Sequence, residues 1–139
     1  MSDQVPSENS PMMRGGLKFS LDVLALHVEN VNLATNQTDN LSLVDTADNS
    51  PIGYVHLNTT AGGPLALSGM VTPIKNGEIG IVMFLKNETG QAVLFQEENA
   101  GSSAENRFNF NGAGDQSLPD GGSAIFLYDP HILRWNLFP

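Results

Sequence analysis

Residues 78–86 read EIGIVMFLK, and residues 87–97 continue NETGQAVLFQE. The first stretch is nearly apolar throughout, is of strand length and is too short for a helix of ordinary size, which predicts a central β-strand. Turn chemistry stands on both sides of it. Asn76-Gly77 favours a tight turn with positive φ and is the strongest hairpin signal in the chain. Glu88-Thr89-Gly90 turns the chain into a second strand, QAVLFQE.

Working outward, the same grammar repeats. In LKFSLDV (17–23), Leu17, Phe19, Leu21 and Val23 alternate with polar residues, which is period two. Leu24, Leu26 and Val28 continue on the opposite parity, so a bulge or a change of strand partner is expected at 23–24. NVNLATNQTDN (30–40) offers turn residues, LSLVD is a short strand, and TADNSP is a turn. IGYVHLN (52–58) sets Ile52, Tyr54 and His56 against Gly53, Val55 and Leu57. TTAGGP is a turn and LALSGMV (65–71) one further strand. Beyond residue 97 come a small-residue loop, the alternating NRFNF (106–110), the turn-rich NGAGDQSLPDGG, and two closing strands in SAIFLYD and ILRWNLF.

Eight or nine short strands at spacings of about ten residues, with no stretch of helical period, predict an all-β protein. The expected form is a single-domain β-sandwich or jelly-roll-like barrel over residues 17–139. No sequence repeat of solenoid length is visible. Residues 1–16, MSDQVPSENSPMMRGG, read as an extended N-terminal arm, broken by Pro6, Pro11, Gly15 and Gly16. Val5, Met12 and Met13 are its apolar residues, and with Leu17 at the domain's start they are the expected arm contacts. The arm has no apolar core of signal-peptide type, so a secretory signal is not expected.

Composition narrows the function. The 139 residues carry 15 acids against 6 bases, a net charge of −9, and no cysteine. An acidic chain without a basic patch is a poor partner for nucleic acid or for an anionic membrane surface. Without cysteine there are no disulfides, thiolate metal sites or thiol nucleophiles, and a reducing compartment is expected. Four Asn-x-Ser/Thr triplets are what an Asn-rich chain produces by chance.

His27 and Glu29 form an H-x-E without the cysteine pair of a zinc deaminase. His56 and His131 stand alone, and the expected reading is three unrelated histidines. Asp45, Asp48 and Asn49 share one turn, and Asp115 and Asp120 another, in neither case with calcium-loop spacing. No nucleophile elbow, phosphate loop or fixed carboxylate pair is present. No enzyme, cofactor or metal is expected.

Residues 76–135 resemble a β-module of tailed-bacteriophage virion proteins, found in capsid decoration proteins and in head or tail fibres. The resemblance rests on S-A-E-N-R-F (103–108), L-P-D-G-G-S (118–123) and Y-D-x4-R-W (128–135). Asn106, Arg107, Asp115, Tyr128, Asp129, Arg134 and Trp135 carry it. An Arg107 pairing with Asp115 or Asp129 is expected to pin the loop, and Trp135 to cover the closing edge. The module implies a virion domain, commonly a homotrimer. The expectation is a decoration, or cement, protein bound to the major capsid protein on the capsid exterior and made in the host bacterial cytoplasm. The alternative is a fibre or receptor-binding module that recognises host glycan.

Overall fold

A computed structural model describes residues 25–73 and 79–138. The arm residues Val5, Met12, Met13 and Leu17, and the Asn76-Gly77 turn, lie outside the described residues. Eleven strands and one 3-10 turn, Ala104–Asn106, make up its regular structure. The chain is all-β.

The strands are β1 (Val28–Leu33), β2 (Gln37–Thr38), β3 (Leu41–Ser42), β4 (Tyr54–Thr59), β5 (Leu65–Leu67), β6 (Met70–Val71), β7 (Ile81–Asn87), β8 (Val93–Phe95), β9 (Gln116–Leu118), β10 (Ser123–Asp129) and β11 (Arg134–Leu137). One sheet of five strands runs β1-β4-β7-β10-β11, a second of four runs β2-β5-β8-β9, and β3 pairs with β6.

The connectivity differs from hairpin-joined strands. β1, β4 and β7 are parallel neighbours, as are β2, β5 and β8, and as are β3 and β6. Val28 faces Tyr54, and Tyr54 faces Phe84, so each coil advances by about 30 residues. Sandwiches and jelly rolls are ordinarily built of antiparallel neighbours. The first two thirds of the described chain instead form three stacked coils whose corners carry it from sheet to sheet. The repeat is one of structure, invisible as sequence identity. β7 pairs with β4 and β10, and β6 with β3. The last quarter reverses direction. β9 runs antiparallel to β8, β10 to β7, and β11 to β10, and this closes the stack.

The core follows from the alternation. In β4 and β7 the inward residues are Val55 and Leu57, and Ile81, Met83 and Leu85, all buried. β5 and β8 add Leu65, Leu67, Val93 and Phe95. The closing strands supply large aromatics. Phe126 packs at 5.0 Å from Phe95 and 5.4 Å from Phe108, and Trp135 lies edge-on to Tyr128 at 5.1 Å. Trp135 is fully buried, and its indole N–H donates to the Met70 carbonyl at 2.8 Å. It thus ties the closing hairpin to the second coil, rather than covering an edge.

Two local readings change for physical reasons. Residues 30–33, expected in a turn, are strand. Parallel stacking places Asn30 beside His56 and Asn32 beside Asn58, and the Asn58 amide donates to Asn30 Oδ1 at 3.2 Å. Side-chain ladders of this kind offset the poor strand propensity of asparagine. LALSGMV is not one strand, because Ser68-Gly69 makes a corner between β5 and β6. A Cβ on Gly69 would lie 2.3 Å from the Asn106 carbonyl oxygen, so only glycine fits that approach.

Buried polar groups sit at the corners and are paired. Asn87, fully buried, donates to the carbonyls of Gln91 at 2.7 Å and Leu118 at 3.0 Å, and accepts from the Thr89 amide and hydroxyl. At another corner Ser68 bonds Asp39 and, at 2.6 Å, Ser102. The Ser102 hydroxyl accepts in turn from the Asn40 amide at 2.8 Å. These two hydroxyls link all three coils.

Candidate interaction surface

The motif residues resolve into frame. Asn106 is buried at the shared corner, and its amide donates to Asn40 Oδ1 at 2.8 Å. Arg107 pairs with neither Asp115 nor Asp129, and its Nε donates to the Ser102 carbonyl at 3.0 Å. Asp115 is occupied in accepting the Glu97 amide at 2.9 Å, and Asp129 the His131 amide at 2.9 Å. The expected Arg107 ion pair is therefore replaced by a guanidinium–backbone bond that pins the same loop. Tyr128 donates its hydroxyl to the Glu105 carbonyl at 2.8 Å, and burial, reinforced by the nearby Glu105 charge, pushes the phenol up from its usual range. Arg134 is the motif residue in a salt bridge, its Nε lying 2.8 Å from Glu98 Oε2.

Glu97 holds the loop after NRFNF. One carboxylate oxygen accepts the amides of Phe110 at 2.6 Å and Gly112 at 2.9 Å, and the other that of Gly114 at 2.8 Å. The Gly112 and Gly114 amides, followed by that of Phe110, hold its carboxyl below the usual range. Its signal in the sequence was only the glycine spacing of NGAG.

What remains for recognition is the outer face of the five-stranded sheet. The period-two pattern turns Val28, Tyr54, Phe84 and Ile125 outward in one row across four strands. The row continues to Phe138, whose amide donates to the Ile125 carbonyl at 2.7 Å. Beside it Val82 faces Leu127 across β7 and β10, and the two are 49% and 37% exposed. Five strands set about 4.8 Å apart make this band about 19 Å across.

Among the described residues, charge flanks the band without entering it. On one side the next row is Asn30, His56 and Lys86, with Glu88 2.5 Å from His56 Nδ1 and 4.0 Å from the Lys86 ammonium. On the other side are Asp129 and Arg134. This resolves the apolar run at 81–85. Its two parities serve two surfaces, one closed by the protein's own core and one open. Among the described residues Val28, Val82, Leu127 and Phe138 of this face are exposed, and Tyr54, Phe84 and Ile125 between them are half-buried; an apolar face of this kind is suited to contact with another macromolecule. Tyr54 also lies 4.8 Å from the His56 ring and 6.4 Å from Phe84, an aromatic cluster on the open face.

Comparison with protein-family models, with curated proteins and with solved structures finds no match for the chain.

Proposed function

We propose that this protein is a structural virion protein of a tailed phage, a capsid decoration protein that works as a homotrimer on the major capsid protein. The observation that carries the reading is the open apolar band on the five-stranded sheet. A band of aliphatic and aromatic side chains free of charge is what copies of one chain can share, because it is complementary to itself. Elsewhere the surfaces of two copies repel, since each carries a net charge of −9. Association is thereby steered to the band. The trimer, the capsid partner and the phage setting come from the resemblance over residues 76–135.

The stacked coils suit such a role. Each coil hydrogen-bonds to the next along its length, and the corners are fastened by buried Asn87, Ser68 and Ser102. A rigid body with one sticky face is what a clamp between shell subunits requires. The arm, residues 1–16, would grip the shell, its ordering cost being met on assembly.

The test is co-sedimentation with capsid shells that lack the protein, using the full chain beside a version that starts at Leu17. Saturable binding by the full chain, lost on arm removal, is the expected result. Absence of binding by either would overturn the cement reading. The aromatic cluster at Tyr54, His56 and Phe84 favours the fibre reading as second choice, and glycan-array binding lost in Tyr54→Ala would establish it.

A further inference from the structure

The start of β1 meets the turn at 45–50 in a cluster that adds Asp45 to the H-x-E of His27 and Glu29. His27 Nε2 lies 3.1 Å from Glu29 Oε1 and 3.4 Å from Asp45 Oδ2. The three ligand atoms all lie within 4.8 Å of one another. The turn that presents Asp45 is tightly built. The Asp45 amide donates to the Ser50 carbonyl, the Ala47 amide donates to Asp45 Oδ1, and Val44 bridges Pro51.

The other side of the ring determines what this cluster needs. Ser50 Oγ lies 2.6 Å from Asp48 Oδ1 and 3.1 Å from His27 Nδ1. A carboxylate offers no proton, so the single hydroxyl proton of Ser50 goes to Asp48. The Ser50 hydroxyl and amide hold the Asp48 carboxyl below its usual range, which keeps it an acceptor. Ser50 oxygen must then accept from His27 Nδ1–H. In that tautomer Nε2 presents a lone pair to two carboxylate oxygens, which is repulsive unless positive charge sits among the three.

We propose that His27 Nε2, Glu29 and Asp45 bind a first-row divalent transition-metal ion. A proton on Nε2 would satisfy only part of the demand. It is one donor facing two acceptors, and it leaves two carboxylates against one imidazolium. A divalent ion balances both carboxylates and takes the lone pair. Zinc bonds of about 2.0–2.2 Å subtend tetrahedral edges of about 3.4 Å, close to the two donor separations that involve Nε2. One nitrogen with two carboxylate oxygens favours zinc or its neighbours over calcium and magnesium, which take all-oxygen shells. Glu29 and Asp45 also line an open groove with Asn30, Ser42 and Thr46, which leaves room for a water on the fourth position. Ser50 acts as a positioning residue that fixes the tautomer. The ion would clip the 45–50 turn to the β1 side of the five-stranded sheet, where among the described residues β1 pairs with β4 alone.

The test titrates the chelator-treated full chain with Zn2+ by calorimetry and with Co2+ by visible absorption, circular dichroism checking the fold of every variant. One equivalent is expected to bind, with tetrahedral-type cobalt bands. Glu29→Gln and Asp45→Asn should each weaken binding at least tenfold, and His131→Ala should leave it unchanged. Ser50→Ala should weaken it by about tenfold, as loss of an outer hydrogen bond to a ligating histidine does, and shift the cobalt bands. No saturable binding, or binding equally tight in Glu29→Gln and Asp45→Asn, would overturn the proposal.

Discussion

Replacing Asn87 by alanine tests how the coil corners hold. Asn87 ends the central strand and is fully buried. Its side chain makes four hydrogen bonds, to the carbonyls of Gln91 and Leu118 and from the amide and hydroxyl of Thr89. Not all four partners are orphaned by the change. The single Thr89 hydroxyl proton, released from Asn87, is free to go to the Gln91 carbonyl 2.8 Å away. The Leu118 carbonyl and the Thr89 amide lose their side-chain partner. Each buried orphan costs about 1–3 kcal/mol, and the Thr89 side of the corner is only partly buried, so about 3 kcal/mol is expected. For a chain of this size that lowers the melting temperature by about 10 °C. Asn87→Asp is the sharper variant. It keeps the shape and both acceptor contacts to Thr89, but at neutral pH it turns an anionic acceptor toward two carbonyl oxygens. It should therefore cost at least as much as alanine. Urea unfolding at pH 7, read by circular dichroism with a constant slope, gives both numbers. A cost below about 1 kcal/mol for both variants would refute the claim that this residue fastens the corner.

Three further outcomes are expected. Trp135→Phe removes the indole N–H that serves the Met70 carbonyl and leaves a small void among fully buried side chains, at a cost of about 2–4 kcal/mol by the same urea assay. Gly69→Ala places a Cβ 2.3 Å from the Asn106 carbonyl oxygen, so the corner must open, and hydrogen exchange should rise at the amides of Asn106 and Arg107. Acid should loosen the fold. The Glu97 carboxyl is held low by the amides of Gly112, Gly114 and Phe110, Asp39 by the Ser68 hydroxyl and then Gln37, and Asp48 by the Ser50 hydroxyl and amide. A carboxyl whose folded pKa is depressed contributes stability above its unfolded pKa and loses it as pH falls through the folded value. Melting temperature should thus be level near neutrality and fall below about pH 4.5, with a shallower fall in Glu97→Gln.

The strands were legible where alternation was clean. Val55 and Leu57 turn inward from β4, and β7 is central, as the run at 81–85 implied. Partner choice was not legible, because period two states which face a residue takes and is silent on the neighbouring strand. The stacked positions Val28, Tyr54 and Phe84 share only apolar character, so no sequence repeat betrays the coils. Asn30 and Asn32 read as turn residues because their ladder partners, His56 and Asn58, stand about 26 residues away. In the site, Arg107 was expected to pair with Asp115 or Asp129, and it bonds the Ser102 carbonyl instead. The competing partners were backbone groups, a carbonyl for Arg107 and amides for Asp115 and Asp129, which no motif displays. The cluster of His27, Glu29 and Asp45 was hidden for a similar reason, since the turn that brings Asp45 back is set by the Asp48–Ser50 hydrogen bonds.

The apolar band on the five-stranded sheet is proposed to join copies of this chain. Sedimentation equilibrium of the full chain beside a Val82→Lys, Leu127→Lys double variant tests it most directly. These two residues face each other on the open side of β7 and β10, so the change adds two like charges to the band while the core side stays intact. The account predicts a concentration-dependent trimer for the unaltered chain and a monomer with the same circular dichroism for the variant. A monomer in both cases, or a variant that associates as well as the unaltered chain, would contradict it.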